Sequence, residues 1–381
     1  QRQMCIRDRL MTIFVLAMLE AFAFVTTRLV DQEDFFDHRE SVLQRLNKRN
    51  FSKAVEEYTD TLLGWQVAGP RTRTEDNCHG LQIEYGYNKA GARIYPGFNP
   101  TEARVIIVGD SYTKGQEVGN GMTYPAKLAE ILGHSVANHG VGGYGPAQSV
   151  LNFTRSRMIY PRAELVVLGI MYENLYRMMN RYRPVLYSSA SDYTLKPYMA
   201  SGELVRLEGA AAFADLDSFM KFANHAFDTD FWAKPQAEFP YLSSLLKSLG
   251  SNYFLYRKLQ RNLREIGFPE YFLIFQDREV EQNLVSLLTI YARQASQAGL
   301  QPVAVFIPRS RHDIVSAAKF IEQHRSAIAP SLILGDVGQH PNVDWLKFNL
   351  MEPEGNNICH PSVYGYQVIA DYIGGLLTNK G

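Results

Sequence analysis

The sequence has no excess of charge of either sign, because its 39 lysines and arginines balance its 39 aspartates and glutamates. It therefore lacks the basic footprint of a nucleic-acid-binding protein, and we expect no nucleic-acid partner. It also has no cysteine and histidine cluster with zinc spacing and no glycine-rich phosphate loop, so we predict no metal and no cofactor. A globular chain of 381 residues remains, long enough for one large domain with an insert.

The sequence also lacks an uninterrupted apolar run of the roughly 20 residues that a membrane-spanning helix usually needs. The apolar run from Leu10 to Val25 is shorter and contains Glu20, whose insertion would cost about 3 kcal/mol. Three interpretations stay open: a signal anchor over residues 10–30, a signal peptide cleaved near Ala23, and a buried helix of a soluble domain. We expect an inner-membrane anchor with the rest of the chain in the periplasm, or a secreted protein if the segment is cleaved. Residues 1–9 resemble adapter-derived, non-native sequence.

Ser111 is the most informative residue, because it follows a short β-branched run from Val105 to Gly109. That run predicts a buried parallel strand. In open α/β sheets, ligands bind at the carboxyl ends of such strands. Asn174 similarly follows a predicted strand, Leu165 to Ile170, so we expect both side chains at one edge of a sheet.

Four segments, in chain order, resemble the sequence blocks of the SGNH or GDSL-type hydrolase superfamily: Gly109-Asp110-Ser111, Asn138 to Gly143, Leu168 to Asn174, and Asn357 to His360. The segment from Tyr87 to Arg93 resembles the lead-in of membrane-anchored bacterial members. The resemblance implies a three-layer α/β/α fold with a mainly parallel, flavodoxin-like sheet. The third block departs from the usual Gly-x-Asn-Asp pattern.

The resemblance also implies roles for individual residues. Ser111 would be the nucleophile and His360 the base that takes its proton. The backbone N–H groups of Ser111 and Gly143 and the side-chain amide of Asn174 would form the oxyanion hole.

The group that orients His360 stays open at this point. The family usually has an aspartate three residues before the histidine, and this chain has Asn357 there. An amide can accept a hydrogen bond from the ring but carries no negative charge. Glu352, Glu354 or a backbone carbonyl are the alternatives.

Four further residues are candidates for the site. Arg177 and His139 could contact the substrate, and a structural salt bridge or a buried position is the alternative for each. Cys78 and Cys359 form an even pair, which in an exported protein suggests a disulfide next to His360. Two buried free thiols are the alternative.

The predicted organisation has a stalk, a core in two parts and a helical cap. Its ranges are 1–9 non-native sequence, 10–30 anchor, 31–85 stalk and lead-in, 86–175 first part of the core, 176–275 cap insert, and 276–381 second part of the core. The predicted function is that of a serine esterase or deacylase acting on a small-molecule or glycan ester, with an O-acetylated envelope glycan as one case. An O-acetyltransferase using the same machinery and a non-catalytic glycan-binding domain are the alternatives.

Overall fold

The computed structural model describes the chain apart from residues 1, 31–34, 49, 68, 208, 260–273, 275–276, 311–313, 342, 354–357 and 379–381. The chain divides into two compact units. Unit 1 comprises residues 1–55, 180–195 and 210–267, and unit 2 comprises residues 56–179, 196–209 and 268–381.

The following strands are those of the described residues: β1 Thr59–Asp60, β2 Gly64–Trp65, β3 Arg71–Asp76, β4 Gln82–Tyr87, β5 Val105–Gly109, β6 Val136–Gly140, β7 Leu165–Met171, β8 Tyr198–Ala200, β9 Glu203–Val205, β10 Gln301–Ile307, β11 Ile333–Asp336, β12 Asn349–Met351 and β13 Ile358–Pro361.

Unit 2 is built on a five-stranded sheet with the order β11-β10-β7-β5-β6, in which all neighbouring strands are parallel. Strands β5 and β6 are buried along their whole length. This burial explains the near-continuous apolar sequence of β5, whereas β6 carries the buried polar residues Asn138 and His139. After β5 the chain first adds β6 on one side and then β7 on the other. The end of β5 is therefore a topological switch point, the place where open α/β sheets bind ligands.

The α-helices of the described residues, most of them amphipathic or apolar, follow in chain order: α1 Arg2–Leu29, α2 Arg39–Lys48, α3 Phe51–Tyr58, α4 Ser111–Lys114, α5 Tyr124–Leu132, α6 Pro146–Ser156, α7 Glu173–Met178, α8 Arg183–Leu186, α9 Gly209–Ala212, α10 Leu216–Thr229, α11 Tyr241–Leu249, α12 Arg278–Gln297, α13 Ile314–His324, α14 Trp345–Phe348 and α15 Val363–Thr378.

Helices cover both faces of the sheet, as alternating side chains require. On one face, Val105 and Val305 belong to a core cluster with Leu128 of α5 and Ile369 of α15. On the other face, the Tyr291 hydroxyl of α12 donates to strand carbonyls, and its ring packs on α6. The predicted three-layer α/β/α arrangement is confirmed.

Several local predictions differ from the structure. The polar segment from Arg71 to His79, whose composition is typical of a loop, is mostly strand β3, because β4 supplies an antiparallel partner. The predicted insert 176–275 is divided between the units. Residues 196–209 join unit 2, where the Gly202 N–H donates to Asn283 at 2.8 Å. Residues 176–179 and 268–275 also belong to unit 2, and residues 1–55 join 180–195 and 210–267 in unit 1. That unit 1 caps the site stays a prediction.

Helix α1 carries the apolar N-terminal segment. Within it, the 24-residue stretch Ile6–Leu29 contains an 18-residue window with a mean hydropathy of 2.0, of which 11% is buried. By length and composition it can cross a membrane, so it fits a membrane anchor or a signal sequence.

Candidate functional site

Ser111 lies at the start of α4, directly beyond the carboxyl end of β5. Asp110 caps this short helix, since its carboxylate accepts a hydrogen bond from the Tyr112 N–H at 2.9 Å. The turn packs tightly against β6. A Cβ atom at Gly140 would come within 2.1 Å of the Lys114 backbone nitrogen. Glycine at this position therefore allows the serine turn to sit against the sheet edge.

His360 reaches Ser111 from the other end of the chain. Its Nε2 lies 2.9 Å from the Ser111 Oγ, within hydrogen-bond distance. His360 lies in strand β13, three residues before α15 begins at Val363. Strand β13 is held by antiparallel pairing with β12 and by a hydrogen bond from Arg309 to the Ile358 carbonyl. The imidazole can accept the serine proton in this geometry.

The carboxylate of Glu117 contacts the other nitrogen of the histidine ring. Its Oε1 lies 3.1 Å from His360 Nδ1, and its Oε2 accepts a hydrogen bond from the Cys78 N–H at 2.6 Å. Burial raises the pKa of this carboxyl, but the hydrogen bonds from His360 and Cys78 outweigh it, and the pKa is lowered from its ordinary value. The side chain is therefore a carboxylate at neutral pH.

The backbone of Glu117 has a φ of 75°, in the left-handed region that usually belongs to glycine. Such a conformation costs a non-glycine residue about 1–2 kcal/mol and persists only where its surroundings hold it. Those surroundings are visible here. The buried Arg93 guanidinium donates to the carbonyl groups of Lys114, Gly115 and Val118, and Tyr366 donates to that of Gln116.

Asn174 lies at the start of α7, just past β7, which pairs with β5. It is buried. Its Oδ1 accepts a hydrogen bond from Arg177 at 3.3 Å, and its Nδ2 is buried without a hydrogen-bond partner among the described residues. Buried amide donors are normally paired, so an unpaired one indicates a place for a ligand acceptor.

Arg177 does not face the substrate side as predicted. Its guanidinium is buried and pairs with Glu173 at 3.0 Å, with Asp110 at 3.6 Å and with the carbonyl oxygen of Asn174. Burial raises the pKa of Asp110, and the charge of Arg177 opposes that shift. The arginine thus joins the serine turn and Asn174 at one sheet edge, and the prediction of substrate contact is corrected to a structural ion pair.

Asn174→Ala is expected to lower kcat for an ester substrate by about 10²–10³-fold with little change in KM, because it removes a donor aimed at developing charge. Asn174→Asp keeps the size of the side chain and an oxygen for Arg177 but replaces the NH2 donor with a carboxylate oxygen, so it tests the donor with the packing retained. Steady-state kinetics checks this expectation, and thermal unfolding verifies that both variants fold. An unchanged kcat in Asn174→Asp would refute the role of the amide.

Gly143 lies in the loop after β6. Its backbone φ is 81°. Two hydrogen bonds anchor the loop: the Val141 N–H donates to the Gly109 carbonyl, and the Trp65 indole N–H donates to the Gly142 carbonyl. The loop therefore starts beside the serine turn. Its left-handed conformation explains glycine at this position.

Two sequence candidates do not join this group. His139 is buried in β6, where its Nε2 pairs with the Tyr160 hydroxyl at 2.7 Å. Burial lowers its pKa to about 3, so it is neutral, and the prediction of substrate contact is wrong because the side chain faces the interior. Asn357 lies outside the described residues, as does Glu354. Among the described residues, no cluster of His, Cys, Asp and Glu could hold a metal ion.

Cys78 and Cys359 are joined by a disulfide, the first of the two alternatives drawn from the sequence. The bond ties together two supports of the site. Cys78 donates its N–H to Glu117, and Cys359 directly precedes His360.

Reduction of this disulfide is expected to lower kcat roughly tenfold to a hundredfold, because small displacements of catalytic groups have effects of that size. The measurement is turnover before and after treatment with a phosphine reductant, with free thiols counted by mass spectrometry. A Cys78→Ser/Cys359→Ser variant should show the low rate and no response to reductant, whereas Cys5→Ser should behave as wild type. Full activity in the reduced protein would contradict the coupling.

Glu117 is the functional candidate that sequence analysis missed. Two features of the sequence could have indicated it. An acidic residue lies between Gly115 and Gly119, six residues after the serine, and the position where the family usually has its aspartate holds Asn357. Six residues suffice because α4 is a single turn and the following loop folds back toward Ser111.

Comparison with known proteins gives matches among solved structures alone, since no family model and no curated protein sequence matches the chain. A lipolytic protein of the G-D-S-L family from Desulfitobacterium hafniense aligns over 71% of this chain and 98% of its own, with 12% identity and a TM-score of 0.34. A member of the same family from Veillonella parvula aligns over 72% of this chain and 96% of its own, with 10% identity and a TM-score of 0.32. Nothing about the activity of this chain follows from likenesses this distant.

Proposed function

We propose that this protein is a serine-dependent ester hydrolase whose catalytic groups are Ser111, His360 and Glu117. The observation that carries the proposal is the chain of contacts from the Ser111 Oγ through the His360 ring to the Glu117 carboxylate, at 2.9 and 3.1 Å. A serine, a base within hydrogen-bond reach and a carboxylate that orients the base are the arrangement that nucleophilic acyl transfer needs.

The proposed reaction proceeds in two halves. The Ser111 Oγ attacks the ester carbonyl carbon while His360 Nε2 takes the serine proton, and the carbonyl oxygen becomes an oxyanion. Breaking the ester C–O bond releases the alcohol with the proton from His360 and leaves an acyl-serine. Water then attacks that acyl group, His360 takes a proton from the water, and the carboxylic acid leaves as Ser111 recovers its proton.

Each remaining group has one task in this scheme. The Glu117 carboxylate holds the proton on His360 Nδ1 and stabilises the imidazolium that forms. The Asn174 Nδ2 and the backbone N–H groups of Ser111 and Gly143 stabilise the oxyanion. The unpaired Nδ2 supports this assignment, since the amide has its acceptor missing until a substrate oxygen arrives.

The proposal includes a location. We propose that α1 is retained as an anchor and that unit 2 faces an oxidising compartment. The apolar length of α1 and the Cys78–Cys359 disulfide support this location, because disulfides persist in oxidising compartments.

The test is a serine-directed covalent probe combined with turnover. The full chain in detergent is treated with a fluorophosphonate, and p-nitrophenyl acetate hydrolysis is followed in parallel. The expected result is a single adduct on Ser111, found by peptide mass spectrometry, with loss of hydrolysis in proportion to labelling. A folded protein that neither hydrolyses the ester nor takes up the probe would refute the proposal.

A further inference from the structure

Glu20 poses a physical problem in a helix proposed to cross a membrane. It lies eight residues before Arg28, which is about 12 Å along the helix axis at 1.5 Å per residue. A carboxylate at that depth needs partners, because the hydrocarbon region supplies none.

The partners belong to a second helix of unit 1. The carboxylate of Glu20 accepts hydrogen bonds from the backbone N–H groups of Tyr241 and Leu242, the latter at 3.1 Å. These are the first two residues of α11, whose opening N–H groups have no acceptor within the helix. The Phe24 and Tyr241 rings also pack edge to face, with centroids 5.0 Å apart. The two helices are therefore fixed to each other at the level of Glu20.

The surface shared by these two helices is apolar. A groove of about 770 Å³ runs between them. Most of its lining is apolar, and Glu20, Ser243 and Lys247 are its polar members; the apolar residues are Leu16, Ala17, Phe239, Pro240, Leu242 and Leu246. Leu246 is 61% exposed and Phe239 is 72% exposed. These exposed apolar side chains share one groove, and grouped exposed apolar side chains mark interaction or membrane sites more often than scattered ones do.

The opposite side of α11 has a different character. Ser244 and Lys247 line a second, polar cavity of about 640 Å³, together with Asp228, Glu238 and Arg39. Lys247 lines both cavities, so the apolar side of α11 toward α1 is formed by Leu242 and Leu246, and the polar side by Ser244. This is the distribution of a helix that lies at a membrane boundary.

We propose that α11 and Phe239 enter the bilayer beside α1, and that lipid acyl chains occupy the groove between the helices. The inference rests on the proposed retention of α1 as an anchor. Helix α11 begins at the level of Glu20, because its first two N–H groups donate to the Glu20 carboxylate. If Glu20 lies in the hydrocarbon region, the first turn of α11 and its exposed apolar side chains lie there too. Glu20 thus joins the two helices and has its own charge satisfied by α11.

The experiment measures depth with spin labels on the full chain in vesicles of phosphatidylcholine and phosphatidylglycerol. Single labels are placed by Leu246→Cys, by Leu16→Cys as the reference within α1, and by Asp217→Cys on the exposed surface of α10, all in a Cys5→Ser background. Collision rates with oxygen, which enters the bilayer, and with a water-soluble nickel chelate give the depth of each label. The Leu246 label is expected to match Leu16 and to exceed Asp217 several-fold in the ratio of oxygen to nickel collisions.

The outcomes separate this inference from the anchor on which it rests. A Leu246 label exposed to the nickel chelate beside a protected Leu16 label would overturn the inference and leave the anchor intact. Exposure of both labels would overturn both. As a further test, Glu20→Leu removes the acceptor of the α11 N–H groups and Glu20→Gln keeps an oxygen for them. The Leu246 label should become more mobile in Glu20→Leu alone, and equal mobility in both variants would contradict the coupling through Glu20.

Discussion

Ser111→Ala and His360→Ala are each expected to lower kcat for p-nitrophenyl acetate by about 10⁴–10⁶-fold, and the double variant should be no slower than either single one. The reason is that the two side chains act as one unit. Without the histidine the Ser111 hydroxyl is a poor nucleophile, and without the serine the imidazole has no proton to take. The 2.9 Å contact between Oγ and Nε2 is the structural basis for this shared effect.

The measurement is initial-rate hydrolysis by the full chain in detergent, with circular dichroism and thermal unfolding to verify folding. Ser296→Ala is a suitable control, because Ser296 lies on α12 with its hydroxyl near that of Ser331 and away from the site. Its rate should equal that of wild type. Ser111→Ala that retains the wild-type rate would remove Ser111 as nucleophile, and rates that multiply in the double variant would show that the two residues act independently.

Glu117→Gln is expected to lower kcat by about 10³–10⁴-fold with KM little changed, whereas Asn357→Ala is expected to stay within about twofold of wild type. Glutamine keeps the size of the side chain and an oxygen for the Cys78 N–H, so the change removes mainly the negative charge beside His360 Nδ1. The charge matters most when the ring becomes an imidazolium during the reaction.

The pair of variants distinguishes the two candidates for orienting His360. A large loss in Asn357→Ala together with near-normal Glu117→Gln would assign the role to the residue three positions before the histidine. Glu117→Asp adds a check on geometry, because it retains the charge on a side chain shorter by one methylene. Its kcat should fall between those of wild type and Glu117→Gln, and a kcat as low as that of Glu117→Gln would show that placement matters as much as charge.

The left-handed backbone of Glu117 also supports its role beside His360. A glycine would adopt that φ without cost, so the acid is present despite its conformational preference. The surrounding hydrogen bonds from Arg93 and Tyr366 hold the loop in place. Strained conformations held by their surroundings concentrate at functional sites. Here the strained backbone places the Glu117 carboxylate against His360.

Local sequence patterns were enough to predict the sheet and the end of β5. Strands β5, β7 and β10 are short β-branched or apolar runs buried on both faces, and such runs carry their own signal because burial demands apolar residues throughout. Ser111 and Asn174 follow two of those strands directly. Parallel strands bring their carboxyl ends to one edge, so the neighbourhood of these residues followed from the fold class.

Side-chain direction and long-range pairing did not follow in this way. His139 and Arg177 lie in the right segments, but the first faces the interior of the sheet and the second is bound by Asp110 and Glu173. Sequence position alone contains no information on either, because the partners come from other elements. The two units likewise combine distant segments, and the N-terminal helix shares unit 1 with the insert.

The sequence by itself determined the fold class, the serine at the switch point, the histidine near the C-terminus and the pairing of the two cysteines as one of two alternatives. The strand pattern and the serine at its end depend on periodicity within one segment, whereas the fold class and the histidine are what the resemblance of four segments to the SGNH superfamily implies. Tertiary structure alone decided which acid faces His360 and what satisfies Glu20. Both answers are contacts between residues far apart in the chain, Glu117 with His360 and Glu20 with Tyr241, and only the folded backbone brings such groups within hydrogen-bond distance.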